Sequence, residues 1–120
     1  MVWVRLGSLV MFLGVLFGAF GAHALKGTLT DESRGWWQTA VLYHLVHGLA
    51  LLAVGWLATL RPTEGLLRNA GLCFAIGIVL FSGSLYLMAL TGARKLGAIT
   101  PIGGLAFLAG WACVMLAARR

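Results

Sequence analysis

His44 and His47 stand three positions apart inside a long apolar stretch, and they have the widest chemical range of any residues in this sequence. Imidazole can ligate a metal, carry a proton, or hydrogen-bond at either nitrogen. On a helix both fall on one face, shared with Ala40 and Leu51. Further along, Ser82, Ser84 and Tyr86 supply hydroxyl groups, while His23 and Tyr43 add a third imidazole and a second phenol. Such a set admits metal coordination, bis-histidine haem ligation, a path for protons or small solutes, or nucleophilic attack by Ser82 or Ser84 with His44 as base.

Metal, haem and nucleophilic chemistry each meet an objection in the sequence, and a proton or solute path stays open. No carboxylate lies within an apolar stretch to complete or support a metal shell, and His23 sits much shallower than His47. Haem needs histidines at matching depth on facing helices. Ser82-Gly83-Ser84 belongs to no nucleophile motif, and Gly77 to Gly83 lacks the lysine of a phosphate loop. The remaining reading is structural: polar side chains hydrogen-bond one helix to the next, at about 1 kcal/mol per pair. The sequence therefore assigns no catalytic residue, metal ligand or cofactor. It keeps His23, Tyr43, His44, His47, Ser82, Ser84 and Tyr86 as one candidate polar cluster or ligand site.

The elements that position these residues follow from composition. With 61% hydrophobic and 10% charged residues, the chain is far from the roughly 25% charge of soluble domains. Its apolar residues fall in four runs, Leu6 to Ala22, Ala40 to Leu60, Ala70 to Leu90 and Ile99 to Ala118. Each is near the roughly 20 residues a helix needs to cross the bilayer. The expectation is an all-α membrane protein: a compact up-down-up-down bundle of four transmembrane helices with short loops. It forms one domain over residues 1–120, with spans at about 3–24, 36–58, 69–91 and 101–118. Arg5, the first apolar run and Ala22-His23-Ala24 imitate a cleaved signal, but Gly14 and Gly18 recur at packing distance and favour a retained helix.

Local signals set the ends. Thr30 before Asp31 and Glu32 reads as an N-cap, so the second helix starts ahead of the membrane and passes the interfacial Trp36 and Trp37. Arg61-Pro62 stops it, and Thr59 to Leu67 reads as the connection. Thr100-Pro101 reads as a cap and first-turn proline for the last span. Helix packing is expected at Gly14, Gly18 and Ala22 at four-residue spacing, and at Gly83, Gly103 and Gly104.

Counted from Trp36, His44 and His47 lie roughly 12 and 16 Å deep, and Tyr86, Ser84 and Ser82 occupy the His44 layer when counted from Thr91. This predicts a polar layer with a shallow cavity opening toward the Gly27 and Arg94 loops. Cys73 and Cys113 fall at similar depth and read as packing residues.

The net charge of +6 does not imply nucleic acid, because every lysine and arginine sits at or near a span end. Arg5, Arg61, Arg68, Arg119 and Arg120 share the terminal side, against Lys26, Arg34, Arg94 and Lys95 on the other. That excess favours cytoplasmic termini. The expected partners are membrane lipid and either a second copy of the chain or a larger membrane complex.

Gly18 through His23, Gln38 through Leu52, Phe81 through Tyr86, Leu96 through Gly104, and Gly110-Trp111 together resemble the YgdD-like family, a domain of unknown function with relatives in eukaryotes. The resemblance implies a small multi-spanning protein of the bacterial inner membrane with no established activity. It picks out His23, His47, Ser82, Gly83, Ser84, Tyr86, Thr100, Pro101, Gly103 and Gly104. Position 44 departs from the pattern: family members often carry glutamine there, which suits a hydrogen-bonding role better than a shared metal site. A binding or assembly role leads; transport through an oligomer and metal or haem binding are the alternatives.

Overall fold

The computed structural model describes residues 1–119. It comprises α1 (Val2–His23), α2 (Asp31–Leu60), α3 (Gly65–Gly77), α4 (Gly83–Thr91) and α5 (Thr100–Ala118). A π-helical turn, Ile78–Ser82, joins α3 to α4, so the third span is one unit over Gly65–Thr91. Four helices are long and apolar enough to cross a membrane. The architecture is the all-α four-helix membrane bundle that the apolar runs predict.

Side-chain chemistry accounts for most helix ends. Thr30 Oγ1 accepts the Ser33 amide at 3.0 Å, capping α2 as expected. Pro62 disfavours helical backbone at Arg61, where α2 stops. Glu64 accepts the Leu66 amide at 3.2 Å, so α3 starts at Gly65 and the connection is shorter than the sequence predicted. Gly92 takes the left-handed conformation at φ +70 and closes α4 through Met88 O at 2.8 Å. Thr100 is a correction: it lies inside α5 and its hydroxyl bonds across to Ser84 instead of capping its own helix.

Loop contacts fix the alternation of the helices. Arg94 reaches Glu32 at 2.6 Å and lies 6.0 Å over the Trp36 ring, tying the end of the third span to the start of the second. At the opposite end Arg61 donates to Ala117 O and pairs with Glu64 at 3.7 Å.

Between helices in lipid the hydrophobic effect gives little drive, so close packing must hold the bundle. Gly7, Gly14 and Gly21 form the α1 face against α2. An added Cβ would lie 3.0 Å from Leu52 at Gly7 and 2.6 Å from Leu45 at Gly14, and at Gly21 it would run into the Trp37 indole nitrogen. In return, Gly48 and Gly55 of α2 receive Met11 and Val4, each 2.7 Å from such a Cβ. Both sets step by seven residues, the repeat that keeps two left-handedly crossing helices in register. The expected four-residue stripe drifts off that face. Gly18 has ordinary contact with Val41 at 3.4 Å, and Ala22 is exposed.

The third span meets α5 through glycines: the Phe74 ring sits on Gly110, the Phe107 ring on Gly77, and the Phe81 backbone on Gly103. The core beside them is Leu51, Val54, Ala70 and Phe74. Gly83 and Gly104 do not take the packing role expected of them. A Cβ at Gly83 meets nothing within 4 Å, and one at Gly104 comes no closer than 3.9 Å to Phe81. Gly83→Ala should therefore raise stability by about 1 kcal/mol through helix propensity, seen as a higher detergent-denaturation midpoint. A lowered midpoint would show that position 83 does pack against a neighbour.

Candidate functional site

α2 is the central helix, and its two histidines send their rings to different neighbours. His44 Nε2 lies 2.7 Å from Val10 O of α1, and Nδ1 lies 2.8 Å from Tyr86 Oη of α4. A carbonyl can only accept, so Nε2 carries the proton and Nδ1 accepts from the tyrosine. Gly14 makes this approach feasible, since a Cβ there would sit 3.2 Å from the imidazole. Phe17 packs edge-on against both His44 and Tyr86, and Trp37 sits 4.7 Å from the Tyr86 ring.

His47 faces α5. Its Nδ1 donates to Tyr43 O one turn back at 2.8 Å, and its Nε2 accepts the Trp111 indole N–H at 3.1 Å. The ring stacks on Phe107 with centroids 3.6 Å apart and planes within 8°. Tyr43 lies nearly parallel to the same ring, its centroid 6.0 Å from His47 and 6.1 Å from Phe107, part of an aromatic wall with Phe81. Both nitrogens of both buried histidines are thus engaged by protein atoms.

The serines also divide. Ser82, fully buried, donates to Ala40 O of α2 at 2.8 Å. Ser84, two residues on, turns to the other side, donating to Phe81 O at 2.9 Å and meeting Thr100 of α5 at 2.6 Å. Neither serine hydrogen-bonds a histidine, so no nucleophile and base are paired. His23 ends α1 in an exposed position and joins neither cluster. The single polar layer expected from depth is therefore two clusters on neighbouring sides of one face of α2, one around His44 and Tyr86, the other around His47 and Trp111. Among the described residues, no buried side-chain nitrogen or oxygen lacks a partner, and no three His, Cys, Asp or Glu converge as a metal set. Cys73 and Cys113 are free thiols.

The cavity also lies elsewhere. A groove of about 650 Å³ opens on the outer side of the α1–α2 hairpin, where Ala22, Lys26, Arg34 and Gln38 contribute to its lining; none of the clustered histidines or serines does.

Sequence reasoning missed Trp37 and Trp111. Trp37 donates its indole N–H to Phe17 O at 3.0 Å, the link that pins α2 to α1 beside Gly21. A tryptophan in an apolar span must place its N–H somewhere. Trp111 lies 11 residues past Thr100, roughly 16 Å deep and level with His47. That match of depth was the available signal.

A bundle of four membrane-spanning helices whose buried polar side chains, among the described residues, all find hydrogen-bond partners defines a small multi-pass membrane protein. The chain belongs to the DUF423 family, described as a protein of unknown function, whose sequence model matches residues 17–104. It is 44% identical over 117 residues to the UPF0382 membrane protein YwdK of Bacillus subtilis, covering 98% of this chain and 95% of that one. It is 46% identical over 115 residues to a UPF0382 membrane protein of Staphylococcus haemolyticus, covering 95% and 92%. With the UPF0382 inner membrane protein YgdD of Escherichia coli K12 it shares 42% identity over 109 residues, covering 91% and 82%. No solved structure matches significantly.

Proposed function

We propose that this chain is a non-enzymatic binding or assembly protein of the bacterial inner membrane, with both termini cytoplasmic, which works through its outer surface. The carrying observation is the saturation of the interior: His44, His47, Ser82, Ser84, Tyr86 and Trp111 spend their polar atoms on other protein groups, most of them on a neighbouring helix and the rest on a carbonyl of their own span. A proton or solute path needs polar groups facing water or one another in series, and these face carbonyls and rings. The outer helices, by contrast, are sparsely covered: 11% of the apolar window of α1 and 17% of that ending in α5 are buried, against 44% for the two middle spans. The inner-membrane assignment follows the relative from Escherichia coli, and the orientation follows the arginine excess on the terminal side.

Reconstitution and cross-linking test this reading. Vesicles containing the purified protein should hold a proton gradient as long as protein-free vesicles. A photo-cross-linker at Leu105, on the exposed face of α5, should give a discrete protein adduct in cells that one at the buried Leu51 does not. A proton leak sensitive to His44→Ala, or stoichiometric metal or haem in the purified protein, would overturn it.

A further inference from the structure

We propose that the groove between α1 and α2 is a binding site for one anionic glycerophospholipid, with Lys26 and Arg34 holding the phosphate. The proposal rests on the outer surface being the working surface and names a ligand class for one part of it.

The groove has a gradient of polarity along its length. On α2, Arg34, Gln38 and Leu42 line it at successive turns, about 6 Å apart. A cation is followed by an amide and then by hydrocarbon. A glycerophospholipid presents the same order from headgroup to chain: phosphate, ester carbonyls, acyl carbons. Opposite them on α1, Ala22 and Gly18 line the groove with almost no side chain, leaving the width that a chain requires. Both lie off the glycine face that packs α1 on α2, so their small size is not consumed by helix packing. Trp37 also lines the groove, but its N–H is turned inward to Phe17 O, so it adds no polar atom to compete for the ligand.

Charge decides the headgroup class. Among the described residues Lys26 belongs to no ion pair, and Arg34 spends one guanidinium nitrogen on the exposed Asp31 at 3.2 Å, keeping further donors for a phosphate. The other acid nearby in sequence, Glu32, is held at 2.6 Å by Arg94. The mouth of the groove is therefore net positive. It lies at the depth of Trp37, where headgroups meet the hydrocarbon. A zwitterionic lipid offers the same phosphate but brings a cationic group toward Lys26. A volume of about 650 Å³ falls within the range of small-molecule sites, about 300–1,000 Å³.

The test is native mass spectrometry of the intact chain in detergent, titrated in parallel with dioleoyl phosphatidylglycerol and dioleoyl phosphatidylcholine. Phosphatidylglycerol should occupy one site in clear preference. Lys26→Gln should weaken that binding about 5-fold, and Lys26→Gln with Arg34→Gln roughly 25-fold, to the level of phosphatidylcholine. Both side chains are exposed and outside the packed core, so the bundle should survive their loss. Ala22→Trp should fill the groove and reduce binding of both lipids. Equal occupancy by the two lipids, or an unchanged preference in the double variant, would overturn the site. Such a result leaves the cross-linking at Leu105 unaffected, whereas a proton leak would overturn the functional reading without altering lipid preference, so the two failures are distinguishable.

Discussion

Gly103→Ala should cost about 3 kcal/mol of stability, whereas Gly104→Ala, one residue on, should cost nothing and gain up to about 1 kcal/mol. The added Cβ at position 103 would lie 2.8 Å from Phe81 Cα and closer still to the Phe81 amide nitrogen. Ordinary carbon contacts sit at about 3.5–4.0 Å. The obstacle is backbone, so no rotamer change relieves it and α5 must move off the third span. That movement lifts Phe107 from Gly77 and Phe74 from Gly110, contacts that hold the same pair of helices. It also stretches the Ser84 to Thr100 bond, now 2.6 Å. At Gly104 the nearest atom is a ring carbon 3.9 Å away, which is ordinary contact. Denaturation in mixed micelles, followed by tryptophan fluorescence and circular dichroism, would separate the two variants. Equal midpoints would mean that α5 does not approach Phe81 as closely as the structure places it.

The second large effect is expected at His44. His44→Ala removes two interhelical hydrogen bonds at once and strands Tyr86 Oη and one lone pair of Val10 O inside the bundle. Each interhelical bond in a membrane bundle contributes about 0.6 kcal/mol on average, up to about 1.7. With the void left by the ring, the total should be about 2–3 kcal/mol. His44→Gln should recover most of the loss, because the amide NH₂ donates to Val10 O while its carbonyl accepts from Tyr86. Glutamine cannot replace imidazole as a metal or haem ligand, so the variant separates the structural role from a ligating one. A double-mutant cycle with Tyr86→Phe isolates the bond between the two side chains, with a coupling of about 1 kcal/mol expected. Additive costs would remove that bond from the account. A protein stable with alanine but impaired with glutamine would contradict the structural role altogether.

The glycines show what pattern-reading can extract and where it fails. Small residues at four-residue spacing suggest a close-packed face, and Gly14, Gly18 and Ala22 satisfy that pattern. The helices instead cross along Gly7, Gly14 and Gly21, a seven-residue set equally visible in the chain. The deciding difference lies on the partner helix. Gly48 and Gly55 repeat with the same period, and only the two periods together define a seam. At Gly83 and Gly103 the residue type is the same and the role opposite, because only the arrangement of α5 against the π-helical turn makes one position crowded and leaves the other empty.

The sequence by itself determined the class of protein, the number of spans, and most helix ends. These depend on local quantities: the length of an apolar run against the thickness of hydrocarbon, a threonine cap, a proline stop. It also determined which side chains are costly in lipid and so must find partners. Depth along each helix followed from rise per residue, which puts Trp111 level with His47 at roughly 16 Å and Tyr86 in the same half of the bilayer as His44, roughly 8 Å deep against about 12 Å. Tertiary structure alone decided rotation. About 100° of turn per residue sends His44 to α1 and α4 and His47 to α5, and it sends Ser82 and Ser84 to different helices. A one-dimensional pattern fixes how deep a residue sits but not which neighbour it faces. The predicted polar layer therefore became two saturated clusters, and the groove opened on the hairpin's outer side instead of between them.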